Sequence, residues 1–185
     1  MVIVRKEKFN SEKSIQYISD KAEKKENKSG MEDLKLGAAI DIGTTSIAVG
    51  LFDMENEVLL GNLTQTNCQT KFGSDVMMRI MHCTNGKEQL LHDMLIEQIE
   101  NIITVIIEQN ISEKYKSYVV ERMTVVGNTT MCHIFLNRDV TGLSGAPFSM
   151  AYKGIANVNS QEAGFKIYNI SEIIVLPNIH SHVGA

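Results

Sequence analysis

The stretch Leu36-Gly37-Ala38-Ala39-Ile40-Asp41-Ile42-Gly43-Thr44-Thr45-Ser46-Ile47-Ala48-Val49-Gly50-Leu51-Phe52-Asp53 decides how the rest of the chain is read. Leu36 to Asp41 is a short apolar run ending on a carboxylate, the pattern of a buried strand. Gly43 to Ser46 is turn chemistry, and Ile47 to Asp53 is a second apolar run of strand length. Glu55-Asn56 then separates it from a third, Glu57-Val58-Leu59-Leu60-Gly61-Asn62-Leu63-Thr64. Three such strands with tight connections predict an antiparallel meander.

Downstream the periodicity becomes helical. Ser74 or Asp75 can cap a helix carrying Val76, Met77, Ile80 and Met81, which Asn85-Gly86 ends. A longer helix is predicted from about Lys87 to Asn110. Its apolar face holds Leu91, Leu95, Ile99, Ile102, Ile103, Ile106 and Ile107, with Glu97, Glu100 and Glu108 elsewhere. Met123 to Val126 reads as a strand, Thr129 to Leu136 as a helix, and Ile173 to Leu176 as a last strand stopped by Pro177. Gly142, Gly145 and Pro147 mark a loop between them. The fold class is therefore α/β, in the order β-β-β-α-β-α-β. It resembles a ribonuclease-H-like lobe: a three-strand antiparallel meander extended by parallel strands, with helices on the sheet faces.

Composition narrows the function classes. Of the 185 residues 43% are apolar and 22% charged, ordinary globular usage. Residues 1–35 carry nine Lys/Arg against seven Asp/Glu, and the remainder nine against fifteen. Residues 1–33 accordingly read as a charged, solvated tail or frayed helix, in which Ser14, Ile15, Tyr17 and Ile18 could form one or two amphipathic turns against a partner, and residues 34–185 as the folded body. An acidic body without a basic stripe disfavours nucleic acid, whose affinity comes largely from phosphate neutralisation. No run approaches the roughly 20 apolar residues of a membrane span, so no membrane partner is expected. Three widely separated cysteines, Cys68, Cys83 and Cys132, lack cluster spacing and the even count of a disulfide framework. They read as reduced thiols in a cytoplasmic protein without an iron–sulfur cluster.

Two strand ends carry the chemistry. Asp41-Ile42-Gly43-Thr44-Thr45 suits phosphate and Mg²⁺: Gly43 allows close backbone approach, and the amides and hydroxyls of Thr44 and Thr45 can form an anion-binding concavity. Asp41 can hold Mg²⁺ through water, since Mg²⁺ takes few carboxylates and keeps several waters. A β-hairpin whose Gly-Thr-Thr satisfies turn geometry alone is the other reading. Val125-Val126-Gly127-Asn128-Thr129-Thr130-Met131 repeats the logic, a strand running through glycine into a helix start, where plain N-capping is again the alternative. Both segments would open on the carboxyl edge of one sheet, where α/β folds bind ligands. The candidate binding set is Asp41, Gly43, Thr44, Thr45, Gly127, Asn128, Thr129 and Thr130.

The Asp41–Thr45 segment with its meander resembles the phosphate-1 element of the actin, Hsp70 and sugar kinase superfamily. Four further segments resemble the C-terminal ATPase domain of reductive activators of corrinoid proteins: Phe72 to Ile80, Val126 to Met131, Gly145 to Phe148, and Leu176 to Ile179 leading to Val183-Gly184-Ala185. The resemblance runs from about Leu36 to the end, in the family's order. It implies ATP and Mg²⁺ as cofactors and a corrinoid protein or methyltransferase as partner, returned from Co(II) to Co(I). In that family an N-terminal [2Fe–2S] domain delivers the electron, and no such motif precedes the body in this chain. The sequence also stops at Ala185, before a second Asp-x-Gly-Thr-like segment such as the family's other lobe carries, so the first lobe only is expected.

Other groups carry less. Asp75 and Arg79 stand one helical turn apart and predict a surface ion pair, with the resemblance alone making them candidates for the site. His180 and His182 share a strand face and could ligate metal, though a polar chain end is expected. Cys132-His133 are helix neighbours that do not face one another, so no activated thiol is expected. The ten methionines read mainly as core filler. Two other function classes stay open: a metal-dependent nuclease or phosphotransferase built on Asp41, and a non-catalytic interaction module. A second copy of the chain also stays open as a partner.

Overall fold

The computed structural model describes residues 34–111, 115 and 117–178, all within the unit Asp33–Ala185. The expected tail with its turn at Ser14 to Ile18, and the pair His180 and His182, fall outside the described residues.

The predicted meander is present. Strands β1 (Leu34–Ile42), β2 (Ser46–Asp53) and β3 (Val58–Thr66) follow one another, β1 pairing antiparallel with β2 (Ile42 opposite Ile47) and β2 with β3 (Ser46 opposite Thr66). Strand β4 (Tyr118–Gly127) lies parallel to β1 with Ile42 opposite Gly127. Strand β6 (Glu172–Val175) is parallel to β4. A short strand β5 (Ala156–Val158), which the sequence did not suggest, runs antiparallel along the β6 edge. The mixed sheet has the order β3-β2-β1-β4-β6-β5.

Helices α1 (Val76–His82), α2 (Glu88–Asn110) and α3 (Thr129–Phe135) complete the described elements, with short 3₁₀ turns at Cys68–Phe72 and Thr141–Leu143. Asp75 caps α1, its Oδ1 accepting the Met78 N–H at 2.9 Å. Asn85-Gly86 does not terminate this helix outright. Residues Cys83–Lys87 form a π-type junction in which Asn85 and Gly86 (φ 78°) leave helical geometry before α2 resumes.

Alternation along β1 explains the core. Leu36, Ala38, Ile40 and Ile42 are buried on one face, with Ile47, Val49 and Leu51 of β2 and Met123 and Val125 of β4 beside them. Helix α2 covers β2 and β3 on that side. Its predicted apolar face is buried in full, Leu91 to Ile107, with Ile96 added. Each of these side chains contributes about 1.5–3 kcal/mol on leaving water. Glu100 departs from the expectation that the helix's acids lie off the core: it is buried, and its Oε1 accepts the Lys166 and Ile167 N–H groups at 2.7 and 2.6 Å. Two loop amides that would otherwise be orphaned supply the compensation a buried carboxylate needs. Among the methionines, Met123 and Met131 are core, whereas Met77 and Met81 of α1 are exposed.

Helices on both sheet faces were expected. The described helices do not cover the second face, where Lys35, Ala39, Asp41, Phe52 and Thr124 are exposed. Small and polar residues alternate there with the core set, so β1 and β2 are buried on one side.

Candidate functional site

The parallel register of β1 and β4 sets the two strand ends side by side. Ile42 and Gly127 are partners, and a Cβ on Gly127 would stand 2.7 Å from the Ile42 carbonyl oxygen. Gly43 is equally constrained, since its Cβ would meet the Ser46 carbonyl at 2.7 Å while its N–H donates to that same oxygen at 2.9 Å. The sequence assigned both glycines to ligand approach. In the structure the space each leaves is filled by a neighbouring backbone carbonyl, so the fold itself demands them whatever binds.

The two segments are joined directly. Asn128 caps α3 through Oδ1, which accepts the Met131 N–H at 3.0 Å, and its Nδ2 donates to Thr44 Oγ1 at 3.0 Å. N-capping and cross-linking are thus functions of one side chain, and the two readings of this segment are not exclusive. Thr129 and Thr130 are almost wholly buried. Their side chains stand behind the rim, and the Thr129 carbonyl accepts from His133 Nδ1 at 2.7 Å. Thr44 is half-buried and Thr45 exposed.

The Gly43–Thr45 turn is held from behind by Asn67, which the sequence reading passed over, and by Arg79, which it set down as half of a surface ion pair. Asn67, fully buried, donates from Nδ2 to the Gly43 carbonyl at 2.9 Å and from its backbone N–H to the Thr45 carbonyl at 2.8 Å. Arg79 donates from Nη2 to the Thr44 carbonyl at 3.3 Å and from Nη1 to the Gly73 carbonyl. Three consecutive carbonyls are therefore drawn into the protein. In a planar trans peptide the N–H points opposite to the C=O, so the Thr44 and Thr45 amides are aimed away from these anchors. Among the described residues neither amide donates to a protein acceptor.

Arg79 also corrects an expectation. It is not one half of a surface ion pair with Asp75: it is fully buried, and Asp75 is engaged in capping. Helical spacing places i and i+4 on one face but does not say whether that face meets solvent. Here the segment Phe72–Ile80 turns its arginine inward beneath the Thr44 turn. Asn67 and Arg79 had a signal of sorts, a polar residue closing a strand and a cation inside a segment that resembles the family.

Asp41 pairs with Ala48 and Val126 in the sheet and is exposed on the uncovered face. It lines an open cavity of about 330 Å³ with Ala39, Ala48, Gly50, Asn62, Thr64, Thr124 and Val126. Among the described residues no three His, Cys, Asp or Glu side chains converge as a metal cluster. Asp53 sits opposite Leu36, at the other end of the β1–β2 pair and roughly 16 Å of strand away. Its carboxylate is occupied by the Glu55 and Asn56 N–H groups at 2.9 and 3.0 Å and by Asn56 Nδ2 at 2.7 Å. Asp93 accepts from Gln89 on the surface. A converging two-metal carboxylate set is absent among the described residues, which disfavours the nuclease reading.

Behind α3 the ionisable groups are held neutral. His133 receives the Ala151 N–H on Nε2 at 3.1 Å, so Nδ1 carries the proton and donates to Thr129. Burial lowers its pKa, partly offset by that bond. Burial pushes the Cys132 thiol up to about 11, with Asp41 adding to the shift, and Cys83 likewise to about 11. Neither thiol is an activated nucleophile.

Sheet and site together define an α/β domain whose neighbouring parallel strands end in a linked pair of anion-compatible turns. The family profile of the RACo middle region matches residues 36–185, and the chain belongs to that family. It is 30% identical over 151 residues to the corrinoid activation enzyme RamQ of Eubacterium limosum, an alignment covering 80% of this chain and 25% of the relative. A solved structure of a reductive activator for corrinoid,iron-sulfur protein superposes with a TM-score of 0.73 at 30% identity, covering 84% of this chain and 25% of that one. The chain thus spans about a quarter of the length of these relatives. The segments that carried the resemblance lie within the matched region.

Proposed function

We propose that this chain supplies the first, nucleotide-binding lobe of an ATP-dependent activator of corrinoid proteins. The carrying observation is the Asn128 Nδ2–Thr44 Oγ1 hydrogen bond, which makes one rim of two strand ends. The meander followed by parallel β4 and β6 supports the ribonuclease-H-like, actin-type reading of the lobe. Thr44 and Thr45 meet phosphate through their outward amides. Asp41, an exposed carboxylate with no metal-ligating cluster around it among the described residues, suits Mg²⁺ carried in by the phosphates with most of its waters. The ion would neutralise phosphate charge. Asp41 would orient it, and Asn128 would fix the Thr44 hydroxyl.

The partner in this reading is a corrinoid protein or its methyltransferase, in the cytoplasm, because the relatives named for corrinoid activation match over most of this chain. Electron transfer is not assigned to it. Affinity of about millimolar, roughly −4 kcal/mol, is expected.

Titration with Mg·ATP followed by ¹⁵N NMR tests this. Shifts centred on Thr44, Thr45 and Asn128, weakened in Asp41→Ala when Mg²⁺ is present, are expected. Shifts confined to residues remote from both strand ends would refute the placement.

A further inference from the structure

Arg79 is a fully buried cation whose hydrogen bonds, among the described residues, go to the Gly73 and Thr44 carbonyls. Its Nε has no partner, and among the described residues no carboxylate pairs with it. A buried charge hydrogen-bonded only to carbonyls, its nearest acid Asp75 being engaged in capping α1 one turn away, is costly, and an apolar side chain of similar volume would serve packing at least as well. The arrangement becomes intelligible if the charge has its counterpart outside the protein. Arg79 contacts the turn at the peptide unit that joins Thr44 to Thr45. Holding that carbonyl inward turns the Thr45 N–H outward, and the positive charge behind the unit raises the potential in front of it.

We infer that Arg79 is a positioning residue that latches the Gly43–Thr45 turn with its amides outward and makes the turn selective for an anionic phosphate group. Asn67 anchors the two flanking carbonyls without charge, so Asn67 supplies shape and Arg79 supplies shape and potential. Arginine suits the position because its planar fork reaches two carbonyls at once, which an ammonium group on a flexible stem does less well. The anion's identity rests on the nucleotide reading above; the latch does not.

The full chain, as wild type, Arg79→Gln and Arg79→Lys, is titrated with Mg·ATP and separately with inorganic pyrophosphate, following the Thr44 and Thr45 amides by NMR. Arg79→Gln should weaken both ligands on the order of tenfold. Arg79→Lys should recover part of that loss, because the charge returns without the fork. In the ligand-free chain Arg79→Gln should lower the ¹⁵N order parameters of Thr44 and Thr45 while those of Ile103 and Val125 stay unchanged. Unchanged binding in Arg79→Gln overturns the inference, and so does equal loss in both variants. If the wild type binds neither ligand, the nucleotide reading fails and the ligand-free spectra decide: an undisturbed turn in Arg79→Gln overturns the latch, and selective loosening of Thr44 and Thr45 upholds it.

Discussion

Removing the link between the two strand ends should cost a defined amount of stability. Asn128→Ala deletes the cap on the Met131 N–H and the bond to Thr44 Oγ1, both 3.0 Å. The cap contributes about 1 kcal/mol and a partly buried neutral hydrogen bond about another 1 kcal/mol, so roughly 2 kcal/mol should be lost. Thr44→Val keeps the β-branched shape and deletes only the hydroxyl, costing about 1 kcal/mol. If the link is real, the double variant loses about 2 kcal/mol rather than 3, because the bond can be broken only once. The coupling of about 1 kcal/mol exceeds the 0.3–0.5 kcal/mol scatter of independent sites. Urea unfolding of all four proteins measures it, and in thermal melts the double variant should fall by roughly 4–8 °C. Strict additivity of the two substitutions would refute the joined rim.

Other outcomes follow from the same geometry. His133 has a folded pKa below its ordinary 6.5, so its neutral ring contributes stability above pH 6.5 that is lost as the pH falls through that value. Urea midpoints should decline from pH 7 to 5, less so in His133→Gln, and an identical decline in that variant would contradict the assignment. Gly127→Ala should destabilise by about 1–3 kcal/mol, since its Cβ would meet the Ile42 carbonyl at 2.7 Å; a wild-type melting temperature would show that β1 and β4 do not approach as described. Cys83 and Cys132 should react slowly with a maleimide at pH 8 and fully on unfolding, because both are buried with pKa values raised to about 11; rapid native labelling of Cys132 would count against its position in the core.

Where the sequence reading held, periodic burial decided the matter. The β1 alternation and the apolar face of α2 are one-dimensional patterns that packing obeys, and the two glycine-bearing strand ends announced themselves as turns. Parallel strands added beyond the meander were legible too, because a strand reached through a helix runs parallel to the one before it, but the pairing of β4 with β1 was not. Polar burial was not legible. Glu100 looks like any surface acid until the loop at Lys166 and Ile167 arrives with two amides to satisfy. Arg79 looks like half of an i,i+4 pair until Gly73 and Thr44 offer carbonyls on the inner side. Strand β5 carries too few residues to show a period. Thr129 and Thr130 read as rim residues because capping motifs are polar by composition, yet their side chains are buried.

The bond between Asn128 and Thr44 joins positions 84 residues apart, and that separation governs the order of events when the chain folds. The β1–β2 hairpin needs only local closure and can shape the Gly43–Thr45 turn early. The rim must wait until α2 has crossed and β4 has zipped onto β1, a non-local step with the loop entropy that slows such topologies. A phosphate ligand that needs both strand ends therefore has nothing complete to hold before the last docking event. It should retard unfolding while leaving the folding rate nearly unchanged.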